Sequence, residues 1–359
     1  MADVKFEVAQ FDLANTSGNQ DIILAGFGTP KAVIFIVNTS NVLDTPSSSW
    51  YNSFGFTDGT NQTVTGMSAR NGASTSDTAR VSSNAKCISF VSFSTGLPII
   101  EAEVVSFGVD KVTINNTLPG GTVRKAFAIF IGGADVSNAH VGSSQLSADF
   151  EASEITTVGF ESDLVFMTTS GNAAGPAASG LAALNSFGVG INAVGDPQRS
   201  SQMSSKDNSQ AAEPAGTIRN DAIVGRTYGD ANSWNGVIGN YNASGFRITP
   251  DANPNSDHIF YLCLKFTNSP DLALFDVTIP TTGDYIETSP GFTPSFGLIS
   301  AMQAPSTRNA VSTTDGHSSS LIAFDDTNVA AQSWTELDFS DPLSSRSFAD
   351  FAFNILAKD

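Results

Sequence analysis

Apolar residues fall along this chain in short runs of two kinds. In the first kind apolar and polar positions alternate. Phe6 and Val8, then Phe11 and Leu13, stand between polar neighbours, and Val104, Ser106 and Gly108 alternate against Val105, Phe107 and Val109. A period of two puts alternate side chains on one face of a strand and predicts half-buried β-structure. The second kind is continuous: 32–37 (Ala-Val-Ile-Phe-Ile-Val), 126–131 (Ala-Phe-Ala-Ile-Phe-Ile) and 259–264 (Ile-Phe-Tyr-Leu-Cys-Leu). Unbroken runs of that length predict strands buried on both faces. Asn71-Gly72 after Arg70 predicts a hairpin tip, because Asn-Gly supplies the positive φ of a tight turn. Helix evidence is thin, since the Ala-rich stretch around Ala183-Leu184 is flanked by Pro176 and Gly180. Stretches of Ser, Thr, Asn and Gly at 38–49, 168–180 and 303–320 read as binding loops or assembly contacts. The pattern predicts an all-β fold of antiparallel β-sandwiches, jelly-roll-like.

The pattern also repeats. Gly26-Phe27 recurs as Gly159-Phe160 and Gly291-Phe292, at offsets of 133 and 132 residues. Asn52-Ser53-Phe54 recurs as Asn185-Ser186-Phe187, and 67–72 (Met-Ser-Ala-Arg-Asn-Gly) as 203–208 (Met-Ser-Ser-Lys-Asp-Asn). Val112-Thr113-Ile114 matches Phe246-Arg247-Ile248. Anchors in one order at one offset define a tandem array, which points to a structural or adhesive protein before an enzyme. We place module 1 at 1–134, module 2 at 135–268 and an abbreviated module 3 at 269–359. Gly18 and Gly283 each lie eight residues before the repeated Gly-Phe, whereas module 2 has Ser147-Ala148-Asp149 nearby and lacks that glycine. In module 3, Ser333-Trp334 matches Ser233-Trp234, and 348–356 reads as the final apolar strand.

The chain has 359 residues, 26 of them Phe, and only 14% are charged, so its polar surface must be mostly uncharged. Its net charge of −18 argues against a phosphate backbone or an anionic membrane surface as partner. Neither a stretch of about 18 apolar residues nor an apolar leader after Met1 is present, which gives the expectation of no membrane insertion and of assembly in a cytoplasm. Cys87 and Cys263 sit in apolar runs of different modules and read as two buried thiols.

Candidate chemistry is sparse. His140, His258 and His317 stand apart from one another and from cysteine, without ligand spacing, so no metal site and no cofactor is expected. No Gly-x-Ser-x-Gly elbow is present. Glu101 and Glu103 would share a strand face, and a carboxylate pair can cleave glycosides, but module 2 has no equivalent pair. Asp325-Asp326 with Asp338 lacks the spacing of a calcium loop. Gly188-Val189-Gly190 reads as close strand packing. No catalytic residue is therefore assigned. Aromatic residues beside Gly/Ser/Asn-rich stretches are the candidate contacts for a glycan: Trp50, Tyr51, Tyr228, Trp234, Tyr241 and Trp334. A ring packs on the apolar face of a sugar while neighbouring amides meet its hydroxyls; the competing expectation is that these rings cap the sandwiches or a subunit contact.

The run 26–35 (Gly-Phe-Gly-Thr-Pro-Lys-Ala-Val-Ile-Phe) resembles a motif of bacteriophage virion proteins, in which such a start precedes a sandwich module. Module 2 carries it as 159–165 without the proline, and module 3 keeps Gly291-Phe292-Thr293-Pro294. The stretches 53–59, 75–80 and 105–107, and Gly132-Gly133-Ala134-Asp135 at the module junction, are similar to the same proteins. The resemblance, which extends to the surface spikes of gene transfer agents, implies a virion surface protein of tail-fibre or head-spike type. It implies attachment to host surface polysaccharide, contact with other virion structural proteins and a homo-oligomer, expected as a trimer that buries the Ser/Thr/Ala-rich faces. It implies no catalytic residue, and the net charge already argues against a nucleic-acid partner. The alternatives are a capsid decoration or cement protein with no host-binding role, and a tailspike-like glycan-degrading enzyme.

Overall fold

The computed structural model describes residues 3–38, 49–70, 78–173, 175, 178–181, 183–205, 215–227, 233–268, 270–274, 291–303, 317–336 and 344–348. Every regular element among them is a β-strand. The first repeat holds β1 (Lys5–Leu13), β2 (Gly18–Ile23), β3 (Ala32–Asn38), β4 (Ser49–Thr57), β5 (Gln62–Arg70), β6 (Thr78–Ser83), β7 (Ile88–Val91), β8 (Pro98–Gly108), β9 (Lys111–Leu118) and β10 (Arg124–Gly132). The second holds β11 (Val136–Gln145), β12 (Ser153–Ile155), β13 (Leu164–Thr169), β14 (Ala178–Leu181), β15 (Ala183–Ile191), β16 (Gln198–Ser205), β17 (Ala215–Arg219), β18 (Val224–Arg226), β19 (Trp234–Asn242), β20 (Gly245–Pro250) and β21 (His258–Phe266). The third holds β22 (Phe296–Gln303), β23 (His317–Asp325), β24 (Val329–Glu336) and β25 (Ser344–Phe348).

The first two repeats are the same sandwich built twice. Module 1 pairs its large sheet as β1-β10-β3-β4-β5-β6 and its small sheet as β2-β9-β8-β7. Module 2 pairs β11-β21-β13-β15-β16-β17 and β12-β20-β19-β18, the same order strand for strand. The extra strand of module 2, β14, leaves its own module and adds to the free edge of β6, with Ala178 opposite Ser82 and Leu181 opposite Ala79. In module 3 the sheet β22-β23-β24-β25 corresponds to β3-β4-β5-β6. The third repeat thus keeps the central meander of the large sheet.

The continuous apolar strands have a specific cause. In β3, Val33, Phe35 and Val37 face the small sheet of module 1, together with Cys87, Ile88, Phe90, Val112 and Ile114. Ala32, Ile34 and Ile36 face the other way, into a core that also contains Leu164, Phe166, Leu262 and Leu264 of module 2 and Leu321, Ala323 and Ala330 of module 3. The opposite residues of β13 and β21, including Val165, Met167, Tyr261 and Cys263, close the sandwich of module 2. The large sheets of modules 1 and 2 therefore each bury one face within their own module and the other in a core shared by all three repeats. Equivalent residues meet there: the rings of Phe54 and Phe187 lie 5.3 Å apart, and Asn185 donates to Asn52 Oδ1 at 3.1 Å. The three repeats of one chain thus pack their sheets around a common core.

Two glycines fix the spacing of the small sheets. A Cβ on Gly55 would overlap the carbonyl oxygen of Cys87, and one on Gly188 would overlap that of Ile223, at equivalent positions. The expectation of close packing at Gly188-Val189-Gly190 holds. The register Thr57–Gln62 in module 1 and Phe324–Val329 in module 3 puts Ile322 where the other repeats have these glycines. That β-branched side chain rules out the same approach of a small sheet in module 3.

Ala183-Leu184 opens β15, in keeping with the thin evidence for a helix there. Two local readings are corrected. Ser333-Trp334 does not correspond to Ser233-Trp234: Trp334 lies opposite Ser319 in β24, as Met67 lies opposite Asn52, whereas Trp234 opens β19 of a small sheet. Phe348 ends β25 beside β24 in the position of β6, and 349–356 lies outside the described residues. Cys87 and Cys263 are buried and free, and burial pushes the Cys263 thiol up to about 12. Among the described residues no helix is long and apolar enough to cross a membrane.

Candidate functional site

Antiparallel pairing sorts the connections of the large sheets between two ends. The short turns 58–61, 192–197 and 326–328 lie at one end, here the turn end. The segments 39–48, 71–77, 170–182, 206–214, 304–316 and 337–343 all leave from and return to strands at the other, here the loop end. Long connections carry binding residues when a rigid scaffold holds their roots, and here three repeats contribute two each.

The six aromatic candidates do not form one cluster. Tyr51 lies in β4 at the loop end, half-buried, with its ring 5.9 Å from Phe90 and 6.0 Å from Phe93. Burial raises its hydroxyl pKa above the ordinary tyrosine value, against the pull of Arg124. Trp50 precedes it in β4 and Trp334 lies near the end of β24, also at the loop end; their side chains are not among the described atoms. Tyr228 lies outside the described residues. Tyr241 stands at the turn end, packed on the core of module 2, with its hydroxyl beside Gly190. Burial pushes that hydroxyl strongly up, which suits a core ring.

Trp234 is corrected outright. It is fully buried, and its Nε1 donates to Asp257 Oδ2 at 2.9 Å. Arg226 Nη1 donates to the same oxygen at 2.9 Å, and Asp257 is itself fully buried. Burial is the largest influence on Asp257 and raises its carboxyl, while Arg226, Trp234 and Arg80 of module 1 pull it down. The ring joins β18, β19 and the start of β21 beneath the loop end and offers no face to a sugar.

The carboxylate pair is split in the same way. Glu103 holds Lys86 at 2.9 Å and accepts from Asn115 at 3.3 Å, and the Lys86 hydrogen bond keeps its carboxyl below the usual range. Glu101 shares β8 and joins this network only through its backbone carbonyl, which accepts from Thr117 at 3.2 Å. His258 is held near the Asn172 carbonyl, and burial lowers its pKa, as it does that of His140. Among the described residues no group of three His, Cys, Asp or Glu side chains could hold a metal ion.

At the turn end a different device appears. Asp58 Oδ1 accepts from the backbone of Thr60 and Asn61 at 2.8 and 2.6 Å, which closes the β4–β5 turn. Its Oδ2 accepts from the backbone N–H of Val141 in module 2 at 2.8 Å. Asp325 repeats the arrangement: Oδ1 takes Thr327 and Asn328, and Oδ2 takes Val8 of module 1 at 2.6 Å. Val8 and Val141 are 133 residues apart, the period of the repeat.

One aromatic at the loop end escaped the sequence reading. Phe150, between β11 and β12, is 56% exposed and has a φ of 61°. The signal available was the missing glycine: counted from Leu13 and Leu146, module 1 has Ser17-Gly18 where module 2 has Phe150-Glu151.

The fold defines a class: a tandem β-sandwich protein whose three large sheets enclose one core and whose long connections leave from strands at one end. Comparison with family models, with characterised proteins and with solved structures finds nothing that matches this chain.

Proposed function

We propose that this chain is a structural virion surface protein, a fibre or spike component, that attaches a particle to a bacterial surface glycan through its loop end. One observation carries the reading: six connections, two from each of three repeats, leave and re-enter the described strands at one end of a single core. Large sheets buried on both faces in modules 1 and 2 suit a rigid support, and loops with roots that do not move lose less entropy on binding. The resemblance to phage virion proteins in module 1 agrees with this role. The partners proposed are other virion structural proteins at the turn end and host polysaccharide at the loop end. A homo-oligomer, a trimer by analogy with virion fibres, belongs to the same proposal.

Binding of the purified protein to host cells, with and without their surface polysaccharide and with released reducing sugar assayed in the same tube, tests the proposal. Polysaccharide-dependent binding without sugar release is expected. Absence of binding favours the capsid decoration role, and sugar release favours the tailspike-like enzyme.

A further inference from the structure

Phe150 departs from its surroundings in three ways. It is exposed, although aromatic rings of this size are normally buried when a core is at hand. Its φ of 61° is one that a bulky residue rarely adopts and that glycine takes freely. And it stands where module 1 has a different turn: β1 ends at Leu13 and β11 reaches its counterpart Leu146, after which module 1 continues Ala14-Asn15-Thr16-Ser17 and module 2 continues Ser147-Ala148-Asp149-Phe150. At the matching position module 1 thus carries Ser17.

The turn is fastened on both sides. Leu146 is buried and its N–H donates to the Asp257 carbonyl at 2.9 Å. Ser153 Oγ accepts from the Ser147 N–H, and Ser147 Oγ accepts from the Asp149 N–H, both at 3.3 Å. An exposed ring on a fastened turn loses little freedom when a ligand packs on it. Asp149 and Glu151 flank the ring and are exposed, so their carboxylates stand ready to accept from hydroxyl groups. The same two charges repel an acidic ligand.

We propose that Phe150 is a sugar-binding residue of the loop end: its ring takes the apolar face of a pyranose that carries no acidic group, and Asp149 and Glu151 accept from the hydroxyls. The assignment rests on the glycan reading above and names the class of sugar.

The test uses the full chain on an array of neutral and uronate-bearing oligosaccharides. The wild type binds neutral spots and leaves uronate spots empty. Phe150→Gly keeps the backbone conformation without strain, so its melting temperature rises or is unchanged while neutral binding falls about ten-fold or more. Phe150→Ser, the residue of module 1, loses binding to the same extent. Asp149→Asn with Glu151→Gln weakens neutral binding several-fold and lets uronate spots appear. Wild-type binding that survives Phe150→Gly undiminished overturns the assignment while the glycan reading stands. A wild type that binds no spot overturns both.

Discussion

The turn between the fourth and fifth strands of the large sheet is built in two ways. In modules 1 and 3 it is short, and one aspartate uses both oxygens: one closes the turn, the other takes a backbone N–H from the first strand of the next repeat. In module 2 the turn runs through 192–197, Asn192 is drawn to Glu161 of its own module, and Val194 at the tip is fully exposed. An exposed strand edge invites pairing with another chain. The carboxylate covers β1 and β11 at a point where a strand would otherwise present a free donor. The same strand order thus contains two fastened junctions and one turn that reaches no neighbour among the described residues.

The comparison can be broken most severely from inside module 2. Asp257→Ala leaves Arg226 buried without its carboxylate and should cost about 3–5 kcal/mol, read in urea denaturation. Gly55→Val and Gly188→Val should each cost roughly 3 kcal/mol, because the new side chain meets backbone carbonyls that cannot withdraw. Equal losses at the two sites would sharpen the claim that the sandwiches are one design, and a tolerant Gly188 would break it. Asp58→Ala and Asp325→Ala should cost about 2 kcal/mol each, since each strands backbone donors at a junction. Hydrogen exchange at Val141 should quicken in the first variant and at Val8 in the second. If both amides stay protected, the carboxylates do not fasten the modules. Val194→Ser should leave the melting temperature unchanged within about 0.5 kcal/mol of stability.

A pH series gives the finest contrast. Asp110 in the β8–β9 turn accepts from Gly28 at 2.7 Å, and backbone hydrogen bonds from Gly28 and Gly26 hold its carboxyl below its ordinary value of 3.8. Its contribution is therefore complete above that value and is lost as the pH falls through the lowered one. In module 2 the matching link is backbone to backbone, from Gly159 to Ser244, and nothing in it titrates. Acid should speed exchange at the Gly28 amide and leave that of Gly159 unchanged.

Much of this fold is legible along the chain. The unbroken run 32–37 says that both faces are buried, and the repeat says how often. What it conceals is which neighbour covers the second face, because Ile34 facing Phe166 reads no differently from Ile34 facing a second subunit. Trp234 shows the opposite failure. Its Gly/Ser/Asn surroundings suggest a surface ring, but its burial is decided by Asp257, 23 residues on, which no local pattern links to it. Phe150 is hidden among 26 phenylalanines; only the glycine missing from its turn marks it.

The strand β14 ties this chain together in a way that its linear order does not suggest. A cut between Gly132 and Val136 severs the only covalent path from module 1 to module 2, yet the second fragment still has a strand laced along the edge of the first. A pull along those strands must shear hydrogen bonds side by side before the modules part. In the attachment role proposed above, the splice would share load with the peptide link.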